Sequence, residues 1–284
     1  MIVLTLAAVM TAGAVVPRDT TAEVRAGDRV VISNVSGEIR VEVWDRPLLA
    51  LATQAGDPRG LTVSRSGNEL RVHPLDRRGR YRGPDVDIVV RIPSTAPVEI
   101  QGRSVDVHVV GVGGGVRARI VSGDIDTEDT AGVLDLSTMD GKIRVVRARG
   151  AVSARSRSDD VSLTDVEGVV DVGSGNGNIR LDGITTGDLR AETWDGDVFY
   201  RGGLVRGGTY RISVHDGDAV LVLPERSGAT VSVATFDGEF SSDLPLTMQG
   251  RARGGVVEFV MGDGGAVLEV KAFDGDIRLN TSGR

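Results

Sequence analysis

Branched aliphatic residues recur at every ninth position through the middle of the chain. This column reads Val107, Val116, Ile125, Leu134, Ile143, Val152, Val161, Val170 and Ile179. A second, mostly apolar column lies two residues later, from Val109 to Leu181. Alternation at i and i+2 is typical of a strand with one buried face. The pattern therefore predicts a run of short strands, each burying one face.

Glycine follows a period twice as long. Gly114, Gly132, Gly150 and Gly168 are 18 residues apart. A turn glycine recurs with spacings that stretch from 18 to 21 at Gly123, Gly141, position 159 (where Asp159 replaces glycine), Gly177, Gly196, Gly217 and Gly238. A unit of two strands and two turns cannot bury its apolar face alone, so successive units must stack. We therefore predict an all-β fold, a β-solenoid (β-helix) with coils of about 18–21 residues.

The ends of the chain are less regular than its middle. Residues 31–44, "VISNVSGEIRVEVW", are in register with the repeat, residues 61–72 predict a hairpin and residues 86–93 another strand. The interval from Gly238 to Gly275 leaves room for one degenerate coil near residues 251–260. We predict a single β-helix domain over residues 21–284, with an irregular cap at about 21–100 and regular coils at about 101–284.

Residues 1–17, "MIVLTLAAVMTAGAVVP", are apolar and rich in small residues. Ala12-Gly13-Ala14 provides a cleavage site of the A-x-A kind, so the segment predicts a secretory signal peptide. A retained N-terminal anchor is the alternative, although the run is shorter than the ~20 residues of a membrane-spanning helix. Export to the periplasm, the cell envelope or the extracellular space is the expectation.

Composition excludes several classes of function. The net charge of −7 disfavours nucleic acid as a partner, and the chain has no cysteine for a disulfide, a thiolate nucleophile or a zinc-thiolate site. The three histidines, His73, His108 and His215, have no metal-ligand spacing. We predict no catalytic residues, no metal site and no cofactor.

A short acidic motif is repeated in the C-terminal half. It reads "TWDGDVF" (193–199), "VHDGDAV" (214–220), "TFDGEFS" (235–241) and "AFDGDIR" (272–278). In other coils Ser or Asn replaces the first acid and Lys142 replaces the second. Ser, Asn and Asp share the capacity to hydrogen-bond turn backbone, not an affinity for metal, so the motif predicts a turn. A calcium-stabilised β-roll is the alternative, because stacked carboxylates would attract a hard cation.

The bulky residue before each of these turns forms a column of Trp194, His215, Phe236 and Phe273. Thr193 and Thr235 occupy inward positions of the repeat, so alternation directs the neighbouring ring outward. Exposed, stacked aromatics would form a strip suited to sugar stacking or to protein docking. The competing interpretation is that the rings cover the turns or pack beneath a C-terminal cap. We predict this column as the candidate partner-binding strip.

Several segments resemble a known family. "NVSGEIRVEVWDR", "RIPSTAPVEI", "VSGDIDT", "TMDGKIRV", "SGNGNIRL" and "FDGDIRL" are similar to the bacterial "putative adhesin" family of envelope-associated β-helix domains, and the resemblance covers about residues 28–280. It implies a right-handed, single-stranded β-helix at the cell envelope and no catalytic residues.

Together these observations predict a non-catalytic, exported, adhesin-like binding or scaffold module. Its expected partner is an envelope component, either a protein or a glycan, and self-association is a further alternative. A polysaccharide-processing β-helix enzyme is the competing class. Such enzymes need a cleft built by large loop insertions, whereas the coils between residues 105 and 240 are short and uninterrupted.

Overall fold

A computed structural model describes residues 21–53, 61–74, 86–248 and 256–282, so the segment predicted as a signal peptide lies outside the described residues. The described residues form 25 β-strands and no helix. In particular, they contain no helix long and apolar enough to cross a membrane.

The strands fall into three groups along the chain. The N-terminal group is β1 (Thr21–Glu23), β2 (Arg29–Trp44), β3 (Leu48–Thr53), β4 (Leu61–Ser66), β5 (Glu69–Pro74), β6 (Ile88–Pro93) and β7 (Val98–Val110). The central group is β8 (Val116–Ser122), β9 (Ile125–Ala131), β10 (Leu134–Thr138), β11 (Ile143–Arg149), β12 (Val152–Ser156), β13 (Val161–Glu167), β14 (Val170–Ser174), β15 (Ile179–Ile184), β16 (Asp188–Asp195), β17 (Val198–Gly202), β18 (Thr209–Asp216) and β19 (Ala219–Leu223). The C-terminal group is β20 (Ala229–Asp237), β21 (Phe240–Ser242), β22 (Leu246–Met248), β23 (Val256–Met261), β24 (Ala266–Asp274) and β25 (Ile277–Thr281).

The central group forms the predicted β-solenoid. Each strand from β8 to β17 pairs in parallel with the second strand after it, as in the series Ile125, Ile143, Val161, Ile179 and Val198. Each coil therefore contributes one strand to each of two walls, which we call face A (β9, β11, β13, β15, β17 and β19) and face B (β8, β10, β12, β14, β16 and β18). The handedness implied by the resemblance stays a prediction.

The two sequence columns form the interior between these walls. Ile125, Ile143, Val161 and Ile179 are at most 1% exposed, and they belong to one hydrophobic cluster that extends from Val24 to Leu279. Burying each such side chain contributes about 1.5–3 kcal/mol relative to exposure. Because most of each buried face is covered by the neighbouring coil, this stabilisation exists only in the stack.

Glycine at the corners is required by the stacking itself. Gly141 has φ 144°, and a Cβ atom there would lie 1.9 Å from the carbonyl oxygen of Gly123 in the preceding coil. Gly150 has φ 123° and the same relation to the carbonyl oxygen of Gly132, at 2.2 Å. Both the positive φ and the close approach of the next coil exclude a side chain. This explains the 18-residue glycine period.

The stretch of the period to 21 residues between Gly196 and Gly217 has a local cause. The extra residues lie between β17 and β18, where two fully buried tyrosines hold the loop. The hydroxyl of Tyr200 donates to the carbonyl of Gly203 at 2.9 Å, and the hydroxyl of Tyr210 accepts from the N–H of Val205 at 2.7 Å. Burial raises the pKa of Tyr200 and of Tyr210 above the usual value of a tyrosine, so both hydroxyls are protonated at neutral pH.

At both ends the order of coils in space differs from their order in the sequence. At the N-terminal end β2 lies between the coil of β5 and β6 and the coil of β7. At the C-terminal end β24 and β25 lie between the coil of β18 and β19 and the coil of β20 and β21. The first and last long strands of the chain are therefore interior strands of the stack.

Antiparallel strands close the two ends. The predicted hairpin at residues 61–72 is formed by β4 and β5. At the other end β23 pairs antiparallel with β20 and with β22. The prediction of a degenerate coil near residues 251–260 is therefore wrong for the residues that the structure describes. Residues 256–261 reverse direction and cover the end of face B, and residues 251–255 lie outside the described part.

Candidate binding groove

Asp and Asn side chains at the position after each turn glycine, or after the residue that replaces that glycine, form a ladder of hydrogen bonds to the backbone of the neighbouring coil. The Oδ1 atom of Asp197 accepts the N–H of Asp218 at 2.9 Å, and the Oδ1 atom of Asp218 accepts the N–H of Asp276 at 2.9 Å. The same bond links Asp87 to Glu38, Asp106 to Asp124, Asp124 to Lys142, Asp160 to Asn178, Asn178 to Asp197, and Asp276 to Glu239. Asp and Asn recur because their short side chains reach the next coil.

Inward hydroxyls support the same turns from the other side. The hydroxyl of Thr193 donates to the carbonyl of Gly177 at 2.9 Å, and that of Ser156 donates to the carbonyl of Gly141 at 2.8 Å. Thr138, Ser174 and Thr235 make the equivalent bond. The repeated motif is therefore a turn whose polar side chains satisfy backbone groups of neighbouring coils.

Charge at these turns is balanced by arginine at the C-terminal end. Arg278 contacts Asp218 at 2.8 Å and Asp276 at 2.6 Å. The N–H of Glu239 and the Arg278 guanidinium lower the pKa of the Asp276 carboxyl below its usual value. Among the described residues no group of His, Cys, Asp and Glu has an arrangement suited to a metal ion. The ladder carboxylates serve the backbone, which favours the turn over the calcium alternative.

The predicted aromatic column forms a continuous ladder of rings on the outside of face B. Its order in space is Trp194, His215, Phe273 and Phe236, because β24 lies between β18 and β20. Ring centroids are 4.1 Å apart for Trp194 and His215, 4.9 Å for His215 and Phe273, and 4.9 Å for Phe273 and Phe236. We call these four residues the aromatic ladder.

The ladder is exposed, as alternation predicts. Trp194 is 64% exposed, Phe236 80% and Phe273 50%, whereas His215 is half-buried. The two inner rings each have an aromatic neighbour on both sides, but Trp194 and Phe236 have one each. The open ring faces of the ladder are therefore at its two ends.

A groove of about 880 Å³ runs beside the ladder on face B. Its floor consists of the outward residues two positions before each ring, Glu192, Ser213, Lys271 and Ala234, together with Gly173 at the equivalent position of the neighbouring coil. All five are small or polar. The far side carries Asp171 and Arg190, and Arg155 continues the floor column beyond Gly173. The groove thus has one apolar wall and a polar floor and opposite wall.

The charges of the groove are paired with one another. Arg190 contacts Glu192 at 2.8 Å, and this hydrogen bond raises the pKa of the Arg190 guanidinium above its usual value. Arg155 pairs with Asp171, and Lys271 with Glu269. The groove therefore offers many donors and acceptors with little unbalanced charge.

Sequence reasoning located the ladder but not the floor. The floor residues lie at outward positions of the same strands, where Gly, Glu, Ser, Lys and Ala share no residue type. Alternation places the residue two positions before each ring on the same outer face as the ring, and this was the only indication of the floor in the sequence. The residue types at these positions do not predict a groove, which forms only when the coils stack.

The fold and the groove together define this protein as a β-solenoid with a groove on the outside of face B, bordered on one side by the aromatic ladder. The chain belongs to the Toastrack DUF4097 family, whose model matches residues 28–280.

The solved structures that this chain matches over most of its length come from several bacteria. One is a putative cell adhesion protein from Clostridium sporogenes, with 9% identity, 92% of this chain and 98% of that chain covered, and a TM-score of 0.27. A putative adhesin from Bacteroides fragilis has 14% identity and a TM-score of 0.39, with 91% of this chain and 94% of that chain covered. A putative lipid binding protein from Parabacteroides distasonis has 11% identity and a TM-score of 0.32, with 93% of this chain and 96% of that chain covered. No curated protein matches the sequence.

Proposed function

We propose that this protein is a non-catalytic, exported binding module of the cell envelope, and that its ligand is an elongated molecule held in the groove beside the aromatic ladder. The observation that carries the proposal is the exposed ladder along a groove of about 880 Å³, which lies within the volume range of ligand sites. Exposed apolar side chains in a continuous row are unfavourable in water unless a partner covers them. Export is supported by the apolar segment at residues 1–17.

Filling the groove tests the proposal. Ser213 points outward from β18 into the floor, and replacement Ser213→Gln adds bulk there without changing the core. We expect this variant to bind envelope fragments of the native host about tenfold or more weakly than the parent, which corresponds to about 1.4 kcal/mol. Binding is measured by co-sedimentation of purified protein with the fragments.

The matched control is Ser162→Gln, because Ser162 points outward from β13 on face A. We expect it to bind as the parent does. Equal weakening of both variants would place the ligand elsewhere. Shortening of the envelope polymer during incubation with the parent would instead support the polysaccharide-processing alternative.

A further inference from the structure

The open face of Trp194 is a site of its own at one end of the ladder. One face of the indole stacks on His215, with centroids 4.1 Å apart. On the other side the neighbouring coil presents Gly175, whose carbonyl accepts the N–H of Asp195 at 2.9 Å. Because Gly175 has no side chain, nothing from that position covers the ring, and Trp194 is 64% exposed.

Polar groups that line the groove on the same strand suit a polyhydroxyl ligand. Arg190 and Glu192 lie on the same strand as Trp194, at outward positions four and two residues before it. Guanidinium and carboxylate groups can donate to and accept from adjacent hydroxyls. An aromatic face attracts the weakly positive C–H groups of a sugar ring, because the π face carries negative charge.

Other classes of occupant fit the groove less well. An extended peptide is usually held by backbone hydrogen bonds at a sheet edge, whereas the groove lies on the face of a sheet whose backbone groups already bond the neighbouring coils. A protein interface has a broad apolar centre, whereas the apolar part here is a single row of rings. A strongly charged polymer would need unbalanced charge, and the charges of the groove are paired.

We propose that the groove binds a glycan chain of low net charge, with one sugar ring stacked on the open face of Trp194. This inference rests on the proposed function and specifies its ligand class and one contact.

Fluorescence tests the contact directly. The chain has 2 tryptophans. The second one, Trp44, lies at the end of β2 in the N-terminal group of strands, where it is half-buried and its indole N–H donates to the carbonyl of Leu48. In a Trp44→Phe background the emission therefore reports Trp194 alone. We expect a saturable change in that emission when soluble glycan released from the native envelope is added.

Two ring substitutions separate stacking from simple apolar contact. Trp194→Leu keeps apolar bulk but removes the aromatic face, and we expect it to weaken glycan binding about 3- to 10-fold. Trp194→Phe retains a face and should recover most of the affinity. Circular dichroism and the melting temperature verify that both variants fold as the parent does.

Treatment of the envelope fragments separates ligand classes. Anhydrous hydrogen fluoride cleaves glycosidic bonds and leaves peptide bonds intact, so we expect it to abolish binding, while protease should leave binding intact. Binding that survives hydrogen fluoride or is lost to protease overturns the glycan assignment. Self-association that depends on Trp194, without glycan binding, overturns it as well.

The two proposals fail differently. If Ser213→Gln weakens binding but Trp194→Leu does not, and the emission stays constant, the groove remains the site and the sugar contact is wrong. If the parent binds no envelope material at all, the proposed function is wrong.

Discussion

At the scale of single residues, the interior contains polar positions that are satisfied and others that are not. The hydroxyl of Thr193 is buried and donates to Gly177. Thr127 occupies the second column, between Val109 and Val145 of the neighbouring coils, and its hydroxyl has no hydrogen-bond partner among the described residues. A buried hydroxyl without a partner loses its hydration without compensation.

Thr127→Val is therefore expected to raise the free energy of unfolding by about 1 kcal/mol, because it replaces an unsatisfied hydroxyl with a methyl group of similar shape. Thr193→Val is the matched control, since both threonines are 2% exposed but Thr193 is bonded. It should lower the free energy. Urea denaturation measures both, and a loss of stability in Thr127→Val would show that its hydroxyl has a partner.

At the scale of elements, the turn between consecutive strands depends on the ladder of Asp and Asn. Lys142 interrupts this ladder: its N–H donates to Asp124 at 2.7 Å, but its own side chain has no oxygen to accept the N–H of Asp160 in the next coil. The side chain of Lys142 is exposed, so the interruption has no effect on the core.

Lys142→Asn is expected to complete the ladder and raise the free energy of unfolding by about 0.5–1.5 kcal/mol, the usual net contribution of one hydrogen bond. Lys142→Gln serves as the control, because it removes the same charge while its amide is one methylene too far from the backbone. Thermal and urea denaturation should separate the two variants. Identical stabilities would mean that the bond does not form or does not contribute.

At the scale of the whole molecule, the order of coils decides which parts of the chain are most stable. The strand β25 pairs with β19 on one side and with β21 on the other, although it is the last strand of the sequence. By contrast, β21 is three residues long and lies at the edge of face A. Local unfolding begins at edges with few buried contacts.

Amide hydrogen exchange should therefore be slower in the last strand of the sequence, β25, than in the earlier strand β21. We expect the amides of residues 277–281 to exchange more slowly than those of residues 240–242. The reason is that opening an interior coil costs more free energy than opening an edge strand. Mass spectrometry of peptides from the intact protein measures both segments at once. Faster exchange at residues 277–281 would contradict the inserted position of β25.

The sequence by itself determined the repeating unit of this protein. Alternation around Ile143 and Val145 specifies which side chains face inward, and it placed Trp194 and Phe236 outside, as observed. The glycine period specified the corners, since only glycine fits where Gly141 meets the carbonyl of Gly123. These features are predictable because they depend on local geometry and on identical neighbours at a fixed spacing.

Tertiary structure alone decided the order of the end coils and the existence of the groove. The spacing of residues along the chain does not specify which existing strand a new strand pairs with, or in which direction. For this reason the sequence predicts a further coil where β23 instead pairs antiparallel with β20. The insertion of β24 also set the ring order, with Phe273 between His215 and Phe236. The floor beside the ladder arises from Glu192 and Ser213, which become neighbours only when β16 and β18 pair. Contacts between coils, rather than the repeat, created the candidate site.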